Sequence, residues 1–152
     1  MEEGLYARLG EAWPKGAAVL AWDAVCHGTA DPDDGHNVVF HEFAHQLDFE
    51  DGSANGAPVL GSGFAWWGKK SRYATWARVL SAEFERLRAE TERGQPAVLD
   101  GYGATNPAEF FAVATETFFE RSREMRENHP QLCEELKRYY QQDPAQWSLA
   151  AE

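Results

Sequence analysis

Apolar residues recur along most of this chain at steps of three and four, the spacing of one helical face. Between about Ser71 and Arg93 the run Tyr73, Trp76, Leu80, Phe84 and Leu87 predicts an amphipathic helix, with Gly94 as its C-terminal cap. Asn106-Pro107-Ala108-Glu109 has the residue types of a helix start: Asn caps, Pro takes the first helical position, and Glu falls at the third. The helix it opens is expected to run to about Arg121, with Phe110, Phe111, Val113, Ala114, Phe118 and Phe119 available to a core. From His36 to about Leu47 the pattern is again helical, with Val38, Val39, Phe40, Phe43 and Leu47 as apolar positions. A last helix is expected near Pro130, with Leu132, Leu136 and Tyr139 on one face. The continuous apolar run Ala17-Ala18-Val19-Leu20-Ala21-Trp22, after Pro14 and Gly16, reads instead as a buried strand. His27 to Gly35 and roughly Glu50 to Gly63 read as loops, and Ser148 to Glu152 as a frayed tail. The pattern therefore predicts a predominantly helical α+β fold with one or a few short strands.

Composition narrows the picture. The chain has 152 residues, the size of one domain, and its 43% hydrophobic and 26% charged residues argue against wholesale disorder. No apolar run approaches the roughly 20 residues that cross a bilayer, and MEEGLYARLGEAW lacks the layout of a secretory signal. The net charge of -11 disfavours nucleic acid or an anionic membrane as a partner found by general electrostatics. Cys26 and Cys133 form no Cys-x-x-Cys pair, which excludes a cysteine zinc knuckle. Each is expected to be a small buried apolar residue, in keeping with a cytoplasmic protein.

The chemistry lies in HEFAHQLD, residues 41 to 48. Positions i and i+4 share a helix face, so His41 and His45 can aim two imidazoles at one metal ion. Glu42, next to the first of them, is placed to act as general base toward a metal-bound water. The plain alternative is two surface histidines on an amphipathic helix. The apolar border formed by Val38, Val39, Phe40, Phe43 and Leu47 argues instead for a core helix, whose buried histidines need partners.

A catalytic zinc site takes a third protein ligand and keeps one position open. A third histidine six residues after His45 is excluded, because position 51 is Asp51. His27, His36 and His129 lack helical spacing to the pair, which leaves a carboxylate. Glu109, Glu116 and Glu120 are candidates, with Asp48 and Asp51 nearer the motif. Glu109 and Glu116 are seven apart and share a face, so periodicity does not separate them, and Glu109 has a competing role as a capping-box glutamate. Asp48, one turn beyond His45, is a candidate to accept the second N–H of a ligand histidine, or is a solvated helix-end carboxylate.

HNVVFHEFAHQLDFEDG together with YGATNPAEFFAVATETFF resembles the Mlc titration factor A family of zinc-dependent peptidases. The likeness extends from about Gly16, through VLAWDAV, to YYQQDP, so that residues 16–147 match in a single domain spanning 1–152. The second motif is also similar to the catalytic domain of anthrax lethal factor, a gluzincin-type metallopeptidase. The resemblance implies a zincin-like core holding one Zn2+ through His41, His45 and Glu109, with Glu42 as catalytic base. It also implies Tyr102 as a phenol near the metal, where an O–H could stabilise negative charge on a carbonyl oxygen. Longer relatives carry an additional N-terminal region, so the chain is expected to be a short homologue or a truncated form.

Two functions follow as expectations. The first is an aminopeptidase-like zinc metallopeptidase acting on a peptide substrate. The second is a non-enzymatic module that sequesters a transcriptional repressor of the Mlc type, which the resembling family is known to bind.

Overall fold

The computed structural model describes residues 10–13, 17–61 and 66–149. Two short strands, β1 (Gly10–Trp13) and β2 (Ala17–Leu20), pair antiparallel, with Gly10 opposite Leu20 and Trp13 opposite Ala17. Six helices follow among the described residues: α1 (Trp22–Ala30), α2 (Val38–Asp48), α3 (Trp66–Glu92), α4 (Pro107–Glu120), α5 (Ser122–Asn128) and α6 (Pro130–Tyr140). Short 3-10 turns lie at Phe49–Asp51, Gly101–Ala104 and Pro144–Leu149. The fold is predominantly helical α+β. No described helix is long and apolar enough to cross a membrane.

The centre of the molecule is α4, every residue of which is buried from Phe110 to Phe118. Its helix starts as its sequence prescribes: Pro107 stands in the first turn and the Asn106 side chain accepts the Glu109 N–H at 2.9 Å. A helix apolar on nearly all sides must be enclosed by others. Phe111 meets Trp76 of α3, Phe110 meets Phe84 of α3, and Leu132 and Leu136 of α6 complete the core. Each such buried side chain contributes on the order of 2 kcal/mol. The buried hydroxyls of Thr115 and Thr117 are satisfied within the helix, by the carbonyls of Phe111 and Val113, each at 2.9 Å.

Several expectations need correction. The strand ends at Leu20 and is not buried: Val19 is 59% exposed, and Trp22, 77% exposed, opens α1. Helix α1 also takes in His27 to Ala30, the first part of the expected loop. Its buried positions are Ala24 and Gly28, whose small side chains leave no apolar periodicity to read. Gly28 lets the helix approach the chain at His36 and Asn37, where a Cβ would come within 3.3 Å of backbone. Cys26 is exposed on this helix, while Cys133 is buried as expected. Helix α3 starts at Trp66, earlier than expected, and ends at Glu92, with Gly94 at φ +63° in the turn that follows it. The short α5 was not anticipated; it follows α4 after a break at Arg121. Pro14 and Gly16, residues 62–63 of the second loop and 150–152 of the tail lie outside the described residues.

Candidate metal centre

Helix α2 lies against α4 in antiparallel sense: Asn37 at its start meets Glu116 and Glu120, and His45 near its end meets Glu109. Asn37 caps α2, its side-chain oxygen accepting the N–H groups of Val39 and Phe40 at 3.1 and 3.3 Å. The expectation of an apolar inward face on this helix is not met. Its buried residues are Glu42, Ala44 and Asp48, whereas Phe43 is 56% exposed and Val38, Val39, Phe40 and Leu47 are only half-buried. The reason is the partner, for α4 offers this face the carboxylates of Glu109, Glu116 and Glu120.

Three donor atoms converge between the two helices. The Nε2 of His41 is 3.0 Å from Glu109 Oε2 and 3.2 Å from His45 Nε2, and His45 Nε2 is 3.3 Å from Glu109 Oε2. Ligands about 2.0–2.1 Å from one tetrahedral ion stand about 3.3–3.4 Å from each other, so this triangle fits one face of such a shell. Two neutral nitrogens and one carboxylate are also a suitable donor set for a divalent transition metal. His41, His45 and Glu109 are therefore a group that could bind a metal ion.

The electrostatics point the same way. Burial disfavours charge on His41, but hydrogen bonds to Glu109 and Glu116 outweigh it and raise the imidazole to about 10. Burial pushes Glu109 up, yet its hydrogen bonds with His41 and His45 bring the carboxyl down to about 2. The site thus favours a positive charge held between its donors. Glu42 is buried beside them, and desolvation raises its carboxyl, only partly opposed by His41 and His45. A carboxylate so perturbed is a better proton acceptor than one in water.

The other sequence candidates fall outside the triangle. Glu116 faces the far side of the His41 ring, with Oε1 2.6 Å from Nδ1. Glu120 accepts from Asn37 Nδ2 at 2.8 Å, and the exposed Asp51 accepts the Ser53 N–H at 2.9 Å. Asp48 is fully buried and is not a solvated helix end; its two oxygens accept the N–H groups of Gly56 and Ala57 at 2.9 and 3.0 Å. His27 is exposed, His36 lies 3.6 Å from Asp100, and buried His129 lies 2.7 Å from Glu83. Tyr102 sits in the Gly101–Ala104 turn, its ring centroid 6.1 Å from that of His41. Asp100 Oδ1 caps this turn by accepting the Tyr102 N–H at 2.7 Å. Gly103 seats it between α3 and α4, where a Cβ would come within 3.1 Å of Leu87 and 3.2 Å of Val113. Asn37 escaped the sequence reading, although an Asn directly before a helical apolar run is a cap signal.

Comparison with known proteins bears on this centre. Residues 1–141 match the family described as glucose-regulated metallo-peptidase M90. An uncharacterized protein of Synechocystis sp. is 45% identical over 145 residues, covering 95% of this chain and 50% of its own length. Mlc titration factor A of Serratia proteamaculans is 34% identical over 149 residues, covering 95% of this chain and 52% of its own. Mlc titration factor A of Klebsiella pneumoniae is 34% identical over 140 residues, covering 90% and 49%. The chain spans about half the length of the curated relatives it matches.

Proposed function

Since the chain belongs to the glucose-regulated metallo-peptidase M90 family, we propose that it is a zinc-dependent peptidase with His41, His45 and Glu109 as metal ligands. The observation that carries this reading is the meeting of three donor atoms within 3.0–3.3 Å of one another, with the buried Glu42 carboxylate adjacent in sequence. Zinc bound there would supply a Lewis acid that polarises a scissile carbonyl and brings a water molecule toward neutral pKa. Glu42 accepts one proton from the attacking water as its oxygen bonds to the carbonyl carbon. When the C–N bond breaks, Glu42 returns that proton to the departing amine nitrogen. Tyr102 donates its phenolic O–H to the carbonyl oxygen as negative charge grows there. The substrate is a peptide, and the family resemblance favours aminopeptidase-like cleavage of short ones. In this reading residues 1–152 work as one zincin-like catalytic domain in the cytoplasm, where the exposed Cys26 thiol stays reduced.

The test is hydrolysis of aminoacyl chromogenic substrates by the zinc-loaded chain and its Glu42→Gln variant. The variant is expected to retain stoichiometric zinc while losing about 10²–10⁴-fold in turnover. Equal turnover at equal zinc content would overturn the role of Glu42. A second reading is favoured by the name Mlc titration factor A carried by relatives at 31–34% identity: the chain binds a repressor of the Mlc type. Capture of such a repressor by Glu42→Gln, with no peptidase activity in the parent chain, would favour it.

A further inference from the structure

Glu116 uses both carboxylate oxygens on one helix. Oε1 lies 2.6 Å from His41 Nδ1, and Oε2 accepts the Asn37 N–H at 2.6 Å. Asn37 and His41 are four apart on α2, so a single side chain spans one helical turn, from the cap to the imidazole. The contact is sheltered, with the His41 side chain 13% and that of Glu116 9% exposed. A carboxylate can only accept, so while carboxylates face both ring nitrogens, Glu116 at Nδ1 and Glu109 at Nε2, each nitrogen carries a proton. Once a metal takes the place of the Nε2 proton, Glu116 keeps the other proton on Nδ1, and the Nε2 lone pair points to the side where His45 and Glu109 lie.

We infer that Glu116 is a positioning residue, which sets the tautomer and aim of His41 for the metal. The inference rests on the metal-site reading above. Glu120, one turn farther along α4, shows what charge alone would do: it meets Asn37 Nδ2 at 2.8 Å and does not touch His41. An amide at position 116 cannot serve both contacts. With its oxygen on the Asn37 N–H, its NH₂ faces Nδ1, and the ring proton is driven to Nε2, where it blocks the metal. With its oxygen on Nδ1–H, its NH₂ opposes the Asn37 N–H.

Zinc affinity of the whole chain, measured by competition with a chromophoric chelator, tests this. Glu116→Gln is expected to bind zinc about 10- to 100-fold more weakly, and Glu120→Gln to stay within about threefold of the parent. Unchanged affinity in Glu116→Gln, or equal weakening in both variants, would overturn the inference. A parent chain that binds no zinc would instead overturn the metal-site reading, and this one with it. Should Glu116→Gln fail to fold by circular dichroism, ring ¹⁵N spectra of the zinc-loaded parent decide. A proton on His41 Nδ1 with metal on Nε2 supports the assignment, and metal on Nδ1 overturns it.

Discussion

Asp48 holds Gly56: the buried carboxylate that ends α2 accepts the Gly56 N–H at 2.9 Å. Gly56 in turn receives the Trp76 indole N–H on its carbonyl at 3.0 Å, and its α-carbon lies against the backbone of Pro107. One loop residue thereby joins the end of the helix bearing His41 and His45 to α3 and to the first turn of α4. Glu109 follows Pro107 by two residues, so this junction abuts the turn of α4 that carries the carboxylate.

Replacing Asp48 by Ala strands the Gly56 N–H and leaves the Ala57 N–H with Asn55 Oδ1 alone, 3.0 Å away, around the space the carboxylate filled. The expected loss is about 2–4 kcal/mol of folding stability, read from urea unfolding of the metal-free chain. A loss below about 0.5 kcal/mol would mean that water satisfies the loop equally well.

Gly56→Ala strikes the same junction from the other side. Gly56 has φ +75°, and an added Cβ would overlap the Pro107 carbonyl, which is backbone and cannot turn aside. Left-handed strain and that overlap together are expected to cost at least about 2 kcal/mol. Because the overlap displaces the first turn of α4, zinc retention should fall with stability. Full zinc affinity in a destabilised Gly56→Ala chain would separate the loop from the site.

The shifts of His41 and Glu109 define a pH window for the EDTA-treated chain. His41 is raised from 6.5 to about 10, so its contribution is complete below about 6.5 and is lost as pH rises through 10. Glu109 is lowered from 4.5 to about 2, so its contribution is complete above about 4.5 and is lost as pH falls toward 2. Their pairing thus supports the metal-free fold most between about 4.5 and 6.5, and thermal melting across pH 3–10 checks it. At pH 7 His41 carries a proton that a metal must displace, so zinc binding is expected to release about one proton. Calorimetry in buffers of different ionisation enthalpy reads that number, and a value of zero would contradict the pairing.

Tyr102→Phe removes an O–H and leaves the ring. If the phenol acts on developing charge, kcat falls about 10- to 10³-fold while KM and zinc affinity hold. A rise in KM at constant kcat would assign Tyr102 to substrate binding.

Much of this molecule could be read from local pattern. The Asn106-Pro107 start of α4, the glycine stop after α3 and the apolar spacing of α6 are signals carried by neighbouring residues, and the structure has each of them. Helix α1 was illegible because its buried stripe is Ala24 and Gly28 rather than large apolar residues. The strand was placed but misjudged as buried, because an apolar run does not say whether anything packs on it. The apolar residues of α2 misled in the same direction: Phe43 faces outward, and the buried positions of this helix are Glu42, Ala44 and Asp48.

For the site, helical repeat alone determined that His41 and His45 share a face, because four residues make nearly one turn. The same repeat put Glu109 and Glu116 on one face of α4 and had no means of ranking them. Only the antiparallel packing of α2 on α4 decided that, by setting the two carboxylates on opposite edges of one imidazole. Glu109 meets Nε2 at 3.0 Å and Glu116 meets Nδ1 at 2.6 Å. Periodicity records direction about a helix axis, whereas the nitrogen each carboxylate reaches depends on how far one helix slides along the other.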